Sequence, residues 1–217
     1  IKSKYFILAC GGIENSRILL WTKEKNVNLI NKNLPIGEYW MNHPWIISGI
    51  GLINKKKLKS KLNDQFLDYE GPLHFAASKN LIEEKKILSA AIYMNAKEDT
   101  KLYKEIIKDI LCIAPKYGKK ISHLVFKKDL KCGNIFMNIE EPPSKNNRIK
   151  LDPYERDKLN IPIVNLFYKK SKDSLLAAKI FLEEFGSFCI NEDLGRIAAK
   201  ENIYNLDDFE NMGGYHH

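Results

Sequence analysis

Apolar residues along the chain fall into short blocks whose period changes from one block to the next. Tyr5-Phe6-Ile7-Leu8-Ala9 is continuous and apolar, the pattern of a strand buried on both faces as in a parallel sheet. Gly11-Gly12 breaks it, and the spacing from about Glu14 to Trp21 predicts a helix, with Glu14 or Asn15 placed to cap its first turn. Asn33-Leu34-Pro35-Ile36-Gly37 reads as a loop. A bulky extended stretch follows from Trp40 to Ile53, interrupted by His43-Pro44, and the chain turns polar from Lys55 to Ser60.

Further along, Leu73 to Ala77 and Ile87 to Met94 have strand character. Thr100 to Ile113 predicts an amphipathic helix with Leu102, Ile106, Ile107, Ile110 and Leu111 on one face, ended by Pro115. Asn134 to Ile139 alternates as a strand does, and Glu140 to Asn147 is a loop with Pro142-Pro143. Arg148 to Leu151 and Ile161 to Tyr168 predict two strands. The polar, turn-like connection Asp152 to Asn160 makes their antiparallel pairing plausible. A helix starts at Ser171 or Asp173, continues through Leu175, Leu176, Leu182 and Phe185, and is expected to stop at Gly186. The order is an α/β edge followed by a mainly antiparallel sheet region with helices, an α+β or α/β chain.

Composition sharpens this picture in three ways. With 217 residues, 44% of them hydrophobic, the chain is globular and has ample material for a core. Its formal charge of +8 rests almost wholly on lysine, and only Arg17, Arg148, Arg156 and Arg196 are arginines. Phosphates and base edges favour the arginine fork, and acidic residues interleave with the lysines, so a solvated surface is expected rather than a nucleic-acid site. Cys10, Cys112, Cys132 and Cys189 form no C-x-x-C pair, which argues against a zinc ribbon or redox dithiol and makes buried free thiols the default; no metal site is expected.

No apolar run approaches the ~18 to 20 residues of a membrane span. The apolar stretch before Cys10 is also shorter than the core of a signal peptide, so it is not read as a lipid-attachment site.

Candidate chemistry concentrates near the end of the chain, in Met212-Gly213-Gly214-Tyr215-His216-His217. A neutral imidazole accepts a proton near neutral pH, and flanking glycines let backbone approach a ligand, which suits a general base. A frayed tail or the start of a purification tag are the plain alternatives.

Four stretches, taken in order, resemble segments of the FAD-dependent glucose-methanol-choline oxidoreductases. Tyr5 to Leu20 is similar to the segment where a strand of the flavin domain turns into a helix. Asn15-Ser16-Arg17 replaces a common Ser-Pro pair there and fits the pyranose-oxidase-like branch better than the choline branch. Asn33 to Gly37, running to Met41-Asn42-His43-Pro44, resembles an Asn-Leu-Pro-x-x-Gly segment ending in Asp-His-Pro, with Asn42 in place of Asp. Glu140-Glu141-Pro142-Pro143, then Asn147-Arg148-Ile149-Lys150-Leu151, Asp157 and Ile161-Pro162, resembles the C-terminal Glu-Gln-x-Pro loop, Asn/Ser-Arg-Val strand and hairpin, with Glu141 in place of Gln. Gly213-Gly214-Tyr215-His216-His217 looks like the start of His-x-x-Gly-Thr without the Gly-Thr.

The resemblance implies an edge of an FAD-binding Rossmann-like domain over 1–48 and a largely antiparallel substrate-binding domain over 49–170. Residues 171–217 would be a helix and the return to the FAD domain. It implies oxidation of an alcohol or sugar hydroxyl, with His216 as proton acceptor and His217 as its substitute if the register slips by one. Ala9, Gly11, Gly12 and Asn15 would line the adenosine and pyrophosphate side of FAD. His43 would either hold its loop or face the flavin. Arg148 is expected in an ion pair, and His74 and His123 as bystanders.

The Gly-x-Gly-x-x-Gly fingerprint that anchors FAD is not in this sequence, and Gly49-Ile50-Gly51 does not supply it. The chain is therefore expected to be a fragment that binds FAD poorly by itself, with the electron acceptor left open. Two other readings remain: a non-enzymatic, basic, β-rich module for anionic surfaces, and a nicotinamide-dependent oxidoreductase, which would need the missing fingerprint.

Overall fold

The computed structural model describes residues 2–53, 57, 60–61, 73–94 and 133–210. The predicted helix Thr100–Ile113 and residues His123, Cys112, Cys132, His216 and His217 lie outside the described residues. The chain forms two compact units. One comprises the described residues up to His43 together with Glu141–Lys170, and the other comprises those of Pro44–Glu140 with the stretch from Ser171 to Glu210.

The second unit is a five-stranded antiparallel sheet with helices. Its strands are β1 (Trp45–Ile53), β2 (Leu73–Ala76), β3 (Ala90–Met94), β4 (Gly133–Ile139) and β7 (Gly195–Ala199), in the order β2-β3-β4-β1-β7. Alternation decides the faces. Ile135, Met137 and Ile139 on β4, and Ala90, Ile92 and Met94 on β3, are all buried, so the odd positions of one strand and the even positions of the other share a side.

On that side they meet the long helix α3 (Lys172–Asn191), whose Leu175, Ala178, Phe181, Leu182, Phe185 and Cys189 form one apolar stripe. Each large side chain fully withdrawn from water there stabilises the unit by about 1.5–3 kcal/mol. Along β1 the pairing with β4 runs Ile47 to Phe136 and then Gly49 to Ile135, which leaves Ser48 as the extra residue of a bulge. Ser48 is buried, and its hydroxyl reaches the Ile135 carbonyl at 3.3 Å.

Helix α3 begins at Ser171, whose hydroxyl accepts from the Ser174 amide at 2.9 Å. The expected stop at Gly186 is corrected: the helix continues through it to Asn191. A Cβ at Gly186 would sit 3.2 Å from Ile197 Cγ1 on β7, so this glycine serves close packing of helix on strand rather than termination. Strand β7 and the short helices α2 (Lys79–Lys85) and α4 (Leu206–Glu210) carry too few residues to show a clear period in the sequence.

The first unit contains α1 (Gly12–Lys25) and a two-stranded hairpin of β5 (Arg148–Arg156) and β6 (Pro162–Phe167). Antiparallel pairing of these strands is as expected, from Arg148 opposite Phe167 to Leu151 opposite Val164. The expected connection Asp152–Asn160 is corrected to a shorter turn: β5 continues to Arg156 across a register shift at which the Asp152 carboxylate accepts from the amides of Tyr154 and Glu155, both at 2.8 Å, and the chain turns at Asp157–Asn160.

The expected strand Tyr5–Ala9 is corrected. These residues form no strand, and Tyr5, Phe6 and Ile7 are 74%, 74% and 90% exposed. An apolar strand of this kind needs partners along both edges and layers on both faces. None of the described strands pairs with it.

Candidate functional site

Within the first unit, three of the four stretches that carry the resemblance are bound to one another through the hairpin. Gly11 adopts φ +89°, a conformation open to glycine at no steric cost, and sets the chain into α1 at Gly12. No side chain caps this helix. Asn15, expected as a cap or cofactor contact, turns its carboxamide oxygen back to accept from the Cys10 amide at 2.9 Å and so fixes the loop before the helix. A Cβ built on Gly11 or Gly12 would meet no atom within 4 Å. Backbone here is therefore approachable from outside, and the first-turn amides carry the positive end of the helix dipole. Ala9 is exposed just before this turn.

Arg17 ties α1 to the hairpin turn. Its guanidinium donates to Asp157 at 2.5 Å, to the Pro162 carbonyl at 2.7 Å and to the Ile161 carbonyl at 3.3 Å, while Glu14 lies 3.3 Å away on the helix. The Ile161 amide, followed by Arg17, holds the Asp157 carboxyl below the usual aspartate range.

The second segment is pinned to β5. The Gly37 carbonyl accepts from the Ile149 amide at 2.6 Å and the Trp40 amide donates to the Asn147 carbonyl at 2.9 Å. Gly37 sits at φ +73°, where a Cβ would lie 2.6 Å from the Ile149 oxygen, so both conformation and space require glycine. Trp40 is buried edge-on against Tyr168, with ring centroids 5.2 Å apart. Asn147, also buried, clamps Lys169 by a pair of bonds, donating to its carbonyl at 3.2 Å and accepting from its amide at 3.0 Å. Glu141 is buried and accepts from the Tyr168 hydroxyl at 3.3 Å.

His43 is exposed at the end of the loop, and its backbone amide donates to Asn42 Oδ1 at 2.9 Å. Arg148 does not form the ion pair expected of it among the described residues. Its guanidinium lies 5.7 Å from the Phe167 ring, and its buried Nε has no hydrogen-bond partner. Beside it, Leu20, Ile36, Glu38 and Lys150 help line an open depression of about 630 Å³.

Of the two described cysteines, Cys10 departs from the buried default and is exposed, whereas Cys189 is buried as expected and its thiol is pushed up to about 11 by desolvation. Among the described residues, no cluster of three or more His, Cys, Asp or Glu side chains could hold a metal, and no helix is long and apolar enough to cross a membrane.

The residues brought together are thus Gly11, Gly12 and Asn15 at one helix start, with Arg17 reaching Asp157 and Pro162. His43 stands at the end of a separate loop. The Arg17 anchor escaped the sequence reading, since its partners lie some 140 positions away. Comparison with protein-family models and with curated proteins finds no match for the chain.

Proposed function

We propose that this chain forms part of a flavin-dependent oxidoreductase that oxidises an alcohol or sugar hydroxyl. One observation carries the reading: three segments resembling that family, separated by up to about a hundred residues of other sequence, interlock within one unit. Arg17 reaches Asp157 and Pro162, and Gly37 and Trp40 bond to Ile149 and Asn147. A chance likeness gives no reason for the matching stretches to seek one another.

The residues present fit an FAD pyrophosphate. Gly11 and Gly12 leave the backbone open, and the uncapped first turn of α1 offers amide donors to an anion, while Glu14, the acidic group nearby, is engaged by Arg17. Asn15 keeps that turn in shape through its bond to Cys10. Ala9 lies next to it, and His43 faces the flavin or holds its loop. Bound FAD would supply the hydride acceptor. His216, or His217 in the neighbouring register, accepts the hydroxyl proton and so raises alkoxide character on the substrate oxygen.

The test is made on the native polypeptide that carries these residues, purified from its source. It is expected to bring FAD with it and to bleach when an alcohol or sugar is added under exclusion of oxygen, and His216→Ala is expected to abolish bleaching while FAD stays bound. A colourless native polypeptide overturns the reading.

A further inference from the structure

Strand β5 gathers two cations against one ring. Arg148 and Lys150 stand two positions apart and share a face of the hairpin, paired with Phe167 and Asn165 of β6. The Arg148 guanidinium lies 5.7 Å from the centre of the Phe167 ring and the Lys150 ammonium 5.9 Å from it. A ring attracts cations through its quadrupole but carries no charge, so two like charges are held near each other without being neutralised.

Both side chains line the depression of about 630 Å³, whose lining residues all belong to the first unit. Glu24 and Glu38 line it as well, yet neither forms an ion pair with Arg148 or Lys150. Arg148 Nε is sealed from water and so is closed to any ligand. The two terminal nitrogens differ: they make no hydrogen bond among the described residues and are not sealed. A permanently charged, half-buried guanidinium thus keeps its outer pair of donors open, an arrangement that costs stability unless an anion meets it.

The rest of the lining says what else the anion carries. Leu20 of α1, Ile36 of the loop and Leu151 of β5 give the depression an apolar wall. The helix contributes its second half rather than the Gly11-Gly12 turn, and Lys23 and Lys25 in its last turn offset the negative end of the dipole there.

We propose that this depression binds a small organic monocarboxylate. The two carboxylate oxygens accept side by side from the terminal N–H groups of Arg148, Lys150 adds the second positive charge, and a short hydrocarbon tail lies against Leu20, Ile36 and Leu151. The volume suits a small molecule. A phosphate dianion would match the guanidinium but would bring a double charge beside Glu24 and Glu38 and leave the apolar wall uncovered. A neutral alcohol would leave Arg148 as unpaired as before.

The isotope-labelled 217-residue chain is titrated with hexanoate, hexanamide and inorganic phosphate, and its arginine Nε–H and backbone amide signals are followed by nuclear magnetic resonance. The chain has only four arginines, so the Arg148 Nε–H signal is identified by its loss in Arg148→Lys. Hexanoate is expected to move that signal and the Leu151 amide saturably, hexanamide to leave both in place, and phosphate to bind more weakly than hexanoate. Arg148→Lys keeps the charge but loses the paired donors, and is expected to weaken hexanoate binding about tenfold. The Ile149 amide, which reports the bond to Gly37, should stay in place in that variant. Glu38→Gln, at an exposed position, should tighten hexanoate binding about twofold by removing a like charge.

Failure of hexanoate to saturate overturns the proposal. So does an equal response to hexanamide, which would mark a merely apolar groove, or tighter binding of phosphate than of hexanoate. Unchanged hexanoate affinity in Arg148→Lys overturns it too. Should the Ile149 amide move in that variant, Glu38→Gln decides, and unchanged or weaker binding there overturns the proposal.

Discussion

The two units are held by different physics. In the sheet unit, Ile46, Ile92, Ile135, Met137 and Phe209 are essentially inaccessible, and α3 lays eight buried residues against them. In the unit of α1 and the hairpin, the helix has no buried residue, and long-range contacts run through Arg17, Gly37, Trp40 and Asn147. Apolar burial is non-directional and tolerates small shifts. Polar pins work only at one geometry. A unit of the first kind should resist many single changes and fail when its core is emptied, whereas the second should be sensitive at a few named positions. It also leaves Tyr5, Phe6, Ile7, Val27 and Leu29 exposed, more apolar surface than a self-sufficient unit usually shows.

The largest effect is expected from Phe181→Ala, which empties the space between α3 and the sheet and costs about 3–5 kcal/mol. Urea titration followed by hydrogen exchange should show α3, β3 and β4 losing protection first. Equal loss in β5 and β6 would break the distinction between the units. Next comes Gly37→Ala, which forces a left-handed residue with a Cβ against the Ile149 oxygen and should cost about 1–3 kcal/mol. Here exchange should rise in β5 rather than in α3; unchanged exchange at the Ile149 amide would show that the pin is dispensable.

Ser171→Ala removes the cap of α3 and should cost about 1 kcal/mol, read as a small drop in urea midpoint with the slope unchanged. The smallest effect is electrostatic. Asp157 is held below the usual aspartate range, so its contribution is complete above that range and is lost as pH falls through the lowered value. Protection factors in the β5–β6 turn, taken relative to intrinsic exchange at each pH, should therefore fall on acidification below the ordinary aspartate range and be flat from there to neutrality. Arg17→Gln should remove part of that pH dependence, since the Ile161 amide still holds the carboxylate. A profile identical to that of the parent chain would show that the ion pair contributes nothing.

How much was legible in the sequence follows the same division. The alternation in Asn134–Ile139 marked a strand, because a period of two is a property of one strand read by itself. Ser171, one of the two starts read for its helix beside Asp173, is the cap for an equally local reason, a hydroxyl three residues from an amide in need of an acceptor. The polar connection between the strands read at Arg148–Leu151 and Ile161–Tyr168 pointed to their antiparallel pairing.

Gly186 misled, since a glycine that ends a helix and one that admits a neighbouring strand look alike until the neighbour is in place. Tyr5–Ala9 misled for the complementary reason, as its apolar run states a demand for partners without saying whether they are met. The site divides likewise. Gly11-Gly12 could be picked out from the residues alone, but not the Arg17 anchor.

By itself, then, the amino-acid order determined the local periods, the caps and turns, and a mainly antiparallel sheet with helices. Only the tertiary structure decided which unit the hairpin joins and which apolar run stays uncovered. The reason is physical: period and capping depend on neighbours within a few residues, whereas pairing and satisfaction depend on surfaces that meet only after the chain has folded.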